Sequence, residues 1–355
     1  MRLPVLRITG SDPYSLGTQH GQAFAKEIRE LSAIRNQLLA EALVGWSSEK
    51  IDRLLDDQIT ALETRWPSVL AELKGIADGS GVPLCDIVNL NGYTDLKDFG
   101  DSEPANTTEA GCSVFAAKGP LVNATGQTWD MHASAEPFML LIELPDLPIP
   151  TRVLTLMGCV GLCGVNAAGV SVMINNLSCR ETNRSGIVWN GLVRLLLEQR
   201  TASAACDVLR ANLPTSGHQY LISDDNESIS FETTGMRIEQ YAAASVDEPE
   251  LILHTNHYLT QLLEFEVTEK LSNTTRPRMA ALETFRRENP IDQLTAATID
   301  RAYLEDGSLC DCIFLRSPSP HGAATCGGIM VDYLTRSAFA YRGKYAAPDR
   351  EAWRF

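Results

Sequence analysis

Near position 112 the chain changes its periodicity, and that change limits what it can fold into. Upstream, apolar residues recur at helical spacing: Phe24, Ile28, Leu31, Ile34 and Leu38, then Ile51, Leu54, Leu55, Ile59 and Leu62. A third helix is expected from Pro67, a favoured first-turn residue, through Val69, Leu70, Leu73 and Ile76 to a stop at Gly79-Ser-Gly81. Downstream, short β-rich runs follow one another, punctuated by Gly, Pro, Asn and Asp: 138–144, 152–157, 169–175, 219–223, 228–232, 251–255, 310–315, 327–331 and 337–341. Helices are expected at 188–199, 202–212 and 277–289. Many strands with helices grouped between them imply an α+β fold with antiparallel sheets stacked under helices. No repeat or linker separates two domains, so one domain over 1–355 is expected.

The junction itself reads as a place to be cut. The loop Asp101-Ser-Glu-Pro-Ala-Asn-Thr-Thr-Glu-Ala-Gly111 is small, polar and turn-forming, and Cys112-Ser-Val-Phe-Ala-Ala117 then opens a strand. A turn at Lys118-Gly-Pro120 and a second extended run ending in Gly126-Gln-Thr-Trp-Asp130 make a hairpin that returns Asp130 to Cys112. A buried, inert cysteine after a flexible loop is the competing reading.

The 355 residues are ample for a sizeable core, and a formal net charge of −15 argues against nucleic acid and anionic membrane surfaces as partners. No apolar run reaches the ~20 residues of a membrane span. The N-terminus lacks an apolar core of signal-peptide length, so a cytoplasmic protein is expected. Nine irregularly spaced cysteines fit reduced thiols better than a disulfide framework. Neither Cys310-Asp-Cys312 nor His254-Thr-Asn-His257 has a recognised zinc spacing. No metal or cofactor is expected.

Several stretches, in order along the chain, carry a resemblance. They are Leu16-Gly-Thr-Gln-His-Gly21; Trp66 through Pro83; Leu90-Asn-Gly-Tyr-Thr-Asp95; Gly111-Cys112; Gly126-Gln-Thr-Trp-Asp130; Gly164 through Asn176; and Thr255-Asn-His257. Together they resemble the acyl-coenzyme A:isopenicillin N (6-aminopenicillanic acid) acyltransferases and their autoproteolytic relatives among the N-terminal-nucleophile hydrolases. The resemblance implies a four-layer αββα sandwich, processed into an α chain 1–111 and a β chain 112–355 that stay associated. It implies an amidohydrolase or acyltransferase acting on a small-molecule amide. Thr128 stands where asparagine is common, and Met131-His132 replace aromatic residues that line the acyl pocket in relatives. Trp129, Met131 and His132 are therefore the expected substrate contacts.

The chemistry assigns roles. Cys112 would attack the Gly111 carbonyl; glycine suits the attack because nothing shields its carbon and it tolerates a strained backbone. Cleavage frees an α-amine whose ordinary pKa is about 7.7–8.0, so nucleophile and base become one residue. Asp130 would orient that amine, or instead cap a turn. Asn256 is the first candidate oxyanion donor, and Asn176 the second by resemblance to the choloylglycine hydrolase branch; each could instead be a strand-end amide, a reading nearly even with the functional one for Asn176. Arg276 resembles the arginine that bile-salt hydrolase relatives keep near the nucleophile, or is a surface ion-pair residue. Two rivals stand. One is an uncut papain-like cysteine hydrolase using His254 or His257 as base; the other is an inactive binding protein that keeps the fold.

Overall fold

In a computed structural model that describes residues 2–100, 111–271, 273–304, 313–314, 322–344 and 349–355, the change of pattern at Cys112 is a change of layer. Before it come strand β1 (Val5–Arg7) and helices α1 (Pro13–Ala23), α2 (Ala25–Ala42), α3 (Ser48–Arg65), α4 (Pro67–Ser80) and α5 (Leu84–Leu96). After it come β2 (Ser113–Gly119), β3 (Val122–His132), β4 (Met139–Leu144), β5 (Thr151–Leu156), β6 (Cys163–Asn166) and β7 (Ser171–Asn176). Helices α6 (Trp189–Leu196) and α7 (Ala202–Ala211) lead to β8 (His218–Ser223), β9 (Glu227–Thr233), β10 (Ile238–Ser245) and β11 (Glu250–His254). Helices α8 (Thr275–Glu288) and α9 (Ala296–Leu304) precede β12 (Ala323–Asp332), β13 (Ser337–Arg342) and β14 (Glu351–Arg354). The run expected as a strand at 310–315 lies outside the described residues except for Ile313 and Phe314, and neither is in a strand.

Eight strands form one sheet in the order β1-β4-β5-β6-β7-β8-β9-β10, and six form the other, β11-β2-β3-β12-β13-β14. Every neighbouring pair is antiparallel but β1 with β4, which run parallel. Strand alternation divides β2 between two cores. Val114 and Ala116 point inward to the large core shared with the eight-stranded sheet and the first helices. Phe115 and Ala117 point outward to a second core with Leu282 of α8 and Ile299 of α9. The order of layers is thus helices, eight strands, six strands, helices: the αββα sandwich that was expected. No helix among the described residues is long and apolar enough to cross a membrane.

The glycines of two sequence motifs have one structural cause. Helices α1 and α4 cross with their backbones in contact; a Cβ on Gly21 would sit 2.9 Å from the Ser80 nitrogen, and one on Gly79 3.0 Å from the Gln22 nitrogen. Ser80 ends α4 as expected, with Gly81 in the left-handed region at φ 69°. From the same crossing, His20 Nε2 accepts the Gly158 N–H at 3.0 Å, and burial pushes its pKa down to about 4. It is a neutral structural acceptor.

Candidate active site

Strands β2 and β3 pair from Gly119↔Val122 back to Ser113↔Thr128, and this register sets the site. The next position places Trp129 across from Cys112. The Asp130 N–H reaches the Cys112 Sγ at 3.4 Å, and the thiol faces the Asp130 carbonyl at 3.8 Å. The Ser113 N–H donates to Thr128 Oγ1 at 3.1 Å, so the unexpected threonine helps anchor the start of the strand. On the other side of β3 the ladder with β12 shifts between Thr325 and Gly327, a bulge directly opposite Asp130 and Trp129. Bulges re-aim side chains at such places.

Burial controls the ionisation of both groups. The Cys112 thiol is pushed up to about 12 by burial first and by the Asp130 carboxylate second. Near neutral pH it is a thiol, and it needs a base. The Asp130 carboxyl is raised to about 7 by burial, with the Arg278 charge and the Thr325 hydroxyl pulling the other way. A carboxyl near 7 is matched to proton transfer at physiological pH.

Arg278 is the residue that the sequence reading missed. It is fully buried in the first turns of α8. Its Nη1 donates to the Cys112 carbonyl and, at 3.0 Å, to Ser113 Oγ; its Nη2 donates to Asn256 Oδ1 at 3.0 Å. Arg276, the expected arginine, instead has a side chain 63% exposed with Glu266 at 3.7 Å. Two residues along a helix are about 200° apart, so only one of the two can face the site. Arg276 takes the surface ion-pair place that was its alternative reading, and Arg278 faces Cys112.

Asn256 follows β11 as expected. Its N–H donates to Thr275 Oγ1 at 2.8 Å, its Nδ2 donates to the Asn176 carbonyl at 2.9 Å, and its Oδ1 accepts from Arg278. Its amide plane is therefore fixed at both ends, with one Nδ2 proton left over. Asn176 meets Asn256 through its main chain, while its own Oδ1 is buried without a hydrogen-bond partner among the described residues. The neighbour Asn175 donates to the Thr255 carbonyl at 3.0 Å and steadies the same loop. Gly111 lies against this frame: a Cβ there would be 2.8 Å from Asn256 Oδ1 and would overlap the Arg278 guanidinium.

Trp129 and Met131 share the inner face of β3. They line a narrow cleft, with room for about one water, together with Arg35, Tyr93, Leu162 and Trp189. His132, at the end of β3, faces Ser134 through Nδ1 at 2.5 Å and is not part of that lining. The two histidines of the papain-like alternative are engaged elsewhere. His254 Nε2 contacts Glu232 Oε1 at 2.8 Å, and His257 Nδ1 contacts Thr275 Oγ1 at 3.1 Å. Burial pushes the His257 pKa down to about 4. Cys310 and Cys312 lie outside the described residues.

The chain is 25% identical over 249 residues to the acyl-coenzyme A:6-aminopenicillanic-acid-acyltransferase 40 kDa form of Emericella nidulans, covering 70% of this chain and 67% of the relative. Among solved structures it shows looser likenesses. Penicillin V acylase from Agrobacterium tumefaciens has 12% identity over 66% of this chain and 83% of that one, at a TM-score of 0.40. A variant of conjugated bile acid hydrolase from Clostridium perfringens has 12% identity over 69% and 84%, at 0.35. The family model for acyl-coenzyme A:6-aminopenicillanic acid acyl-transferase matches residues 124–307, which include Asp130, Asn176, Asn256 and Arg278 and begin just after Cys112. That match spans just over half of the chain, and the protein is a member of the acyl-coenzyme A:6-aminopenicillanic acid acyl-transferase family.

Proposed function

We propose that the protein is a self-cleaving enzyme that acts on small-molecule amides through a thioester on Cys112. One observation carries this reading: Gly111, the Cys112 thiol, Asp130, Asn256 and Arg278 form a single buried constellation. During processing the thiol proton passes to the Asp130 carboxylate as sulfur attacks the Gly111 carbonyl carbon. The C–N bond breaks, its nitrogen takes that proton, and a Gly111 thioester forms. Water releases the chain at Gly111 and leaves Cys112 with an α-amine. Residues 1–111 and 112–355 remain together because both contribute to the same large core.

In turnover the α-amine accepts the thiol proton and donates it to the leaving amine. Asp130 holds the amine when it is charged. Asn256, immobilised by Thr275, Asn176 and Arg278, offers its remaining Nδ2 proton to the oxyanion. Water then hydrolyses the thioester; transfer to an amine, as the Emericella relative's name suggests, is the second reading.

Electrophoresis under denaturing conditions, with Cys112→Ala as control, tests this. Two fragments from the wild type and one intact chain from the variant support it. A full-length wild type with amidase activity supports the papain-like alternative. A chain neither cut nor labelled by a thiol-directed acylating probe supports an inactive binding protein.

A further inference from the structure

We propose that Glu232 and His254 are positioning residues: a buried carboxylate–imidazolium pair that ties the two sheets together and fixes the peptide from which Asn256 projects toward the oxyanion. This rests on the reading of Asn256 as the oxyanion donor. Glu232 lies on β9 of the eight-stranded sheet, and His254 ends β11 at the edge of the six-stranded one. Both side chains are fully buried, and His254 Nε2 meets Glu232 Oε1 at 2.8 Å. The same carboxylate gathers the loop that follows Asn256. Its Oε1 accepts the Leu259 N–H at 2.7 Å, and its Oε2 accepts the Thr260 N–H at 2.9 Å and the Thr260 hydroxyl at 2.6 Å. Burial works against a charge there, but the His254, Thr260 and Leu259 donors outweigh it and hold the carboxyl below its usual range. Glu232 is an anion.

The other nitrogen of the imidazole reaches toward the site. His254 Nδ1 stands 2.5 Å from the Thr255 carbonyl oxygen. A bare nitrogen at that distance would set one lone pair against another, so Nδ1 carries a proton; Nε2, facing a carboxylate, carries one too. The two acceptors thus assign an imidazolium. The Thr255 carbonyl takes a second donor, Asn175 Nδ2, at 3.0 Å, while the Asn256 N–H of the same peptide unit donates to Thr275 Oγ1 at 2.8 Å. The Thr255–Asn256 peptide plane is therefore held at both its oxygen and its nitrogen, and the Asn256 side chain leaves from it. Tyr241 of β10 packs edge-on against the His254 ring at 5.4 Å. His257, whose charge would oppose the imidazolium, is kept neutral by burial, with its pKa pushed down to about 4. A buried ion pair adds little net stability. What this one supplies is orientation, and an oxyanion donor works only if it is aimed before the charge develops.

The test compares two reagents at Cys112. Acylation by p-nitrophenyl acetate passes through an oxyanion; alkylation by iodoacetamide does not. Asn256→Ala should slow the p-nitrophenolate burst, taken above the Cys112→Ala background, roughly a hundredfold or more, and leave alkylation of the Cys112 peptide within about twofold. Glu232→Gln with His254→Leu, which leaves no charge buried alone, should slow acylation at least about tenfold with the same small effect on alkylation. Glu232→Gln with His254→Asn, whose amide can take the Nδ1 place, should regain part of that rate. In the Asn256→Ala background the Gln/Leu pair should slow acylation by less than about a further twofold, because both act through one group. Acylation unchanged by the Gln/Leu pair, both reagents slowed alike, or a full further loss beside Asn256→Ala overturns the proposal. If Asn256→Ala alone is cut and acylated at the wild-type rate, the reading of Asn256 fails, and the positioning role falls with it. Where a Gln/Leu or Gln/Asn variant is not cut or does not fold, nitrogen-15 spectra of the wild type at pH 7.5 decide. Protons on both ring nitrogens of His254 support the proposal, and one bare nitrogen overturns it.

Discussion

Replacing Arg278 with methionine removes the donor that ties the site together while keeping most of its volume. Arg278 donates to the Cys112 carbonyl, to Ser113 Oγ and Asn256 Oδ1 at 3.0 Å each, and to Thr274 Oγ1 at 3.2 Å. Cys112, Ser113 and Asn256 are all buried, so in the variant three acceptors lose a charged donor where water cannot easily replace it. At about 1–3 kcal/mol for each buried group left unsatisfied, the loss is roughly 3–9 kcal/mol. Removing a buried charge can relieve a fold. Here the relief is outweighed, because the Asp130 carboxyl would lose the cation that holds its pKa down and would climb above about 7. Arg278→Lys keeps that charge and loses the fork, so it should recover part of the stability. Urea unfolding of the uncut Cys112→Ala background with each substitution measures the effect apart from cleavage. The rate of fragment appearance in the wild-type background gives its functional counterpart. Were Arg278→Met to unfold within about 0.5 kcal/mol of its parent and be cut at the parent rate, the constellation described here would be wrong.

Asp130→Asn should change how stability depends on pH. The folded carboxyl titrates near 7 and the unfolded one near 3.8, so the folded chain holds the extra proton between those values. Stability from this group is present below about 4 and is lost as pH rises toward 7. Urea midpoints at pH 4.5 and 7.5 should therefore fall more for the parent than for Asp130→Asn; equal slopes would show that the carboxyl is not raised. Gly111→Ala places a methyl against Arg278 and Asn256, and should slow fragment formation at least about tenfold. Cleavage at the parent rate would mean that Gly111 does not lie against these side chains. Arg276→Ala removes the long 3.7 Å contact of an exposed guanidinium with the buried Glu266, which also accepts the Tyr258 N–H, and should change stability by less than about 1 kcal/mol with cleavage unaltered; uncut protein would return Arg276 to the site.

What the sequence disclosed follows from local physics. The α2, α3 and α4 stripes and most β-runs were legible because each element buries one face or a short continuous run. Helix α5 was not, because Ile87 to Leu96 are buried on every side and leave no stripe to read. Helix α1 was obscured by Gly17 and Gly21, poor helix formers that are there for the close approach of α4. Strand β1 is three residues long and pairs in parallel with β4, a partner far along the chain. In the site, Cys112 and Asp130 could be joined from hairpin length alone. Arg276 and Arg278 could not be told apart, since Pro277 between them left the helix phase undefined until Thr275 was known to start α8.

The most direct measurement labels active enzyme with an acylating probe and maps the modified peptide by mass spectrometry. A self-generated N-terminal nucleophile requires a single acyl group on a peptide whose first residue is Cys112, with a free α-amine and no residue before it. A labelled peptide that runs through Gly111 into Cys112, recovered in proportion to activity, would contradict it.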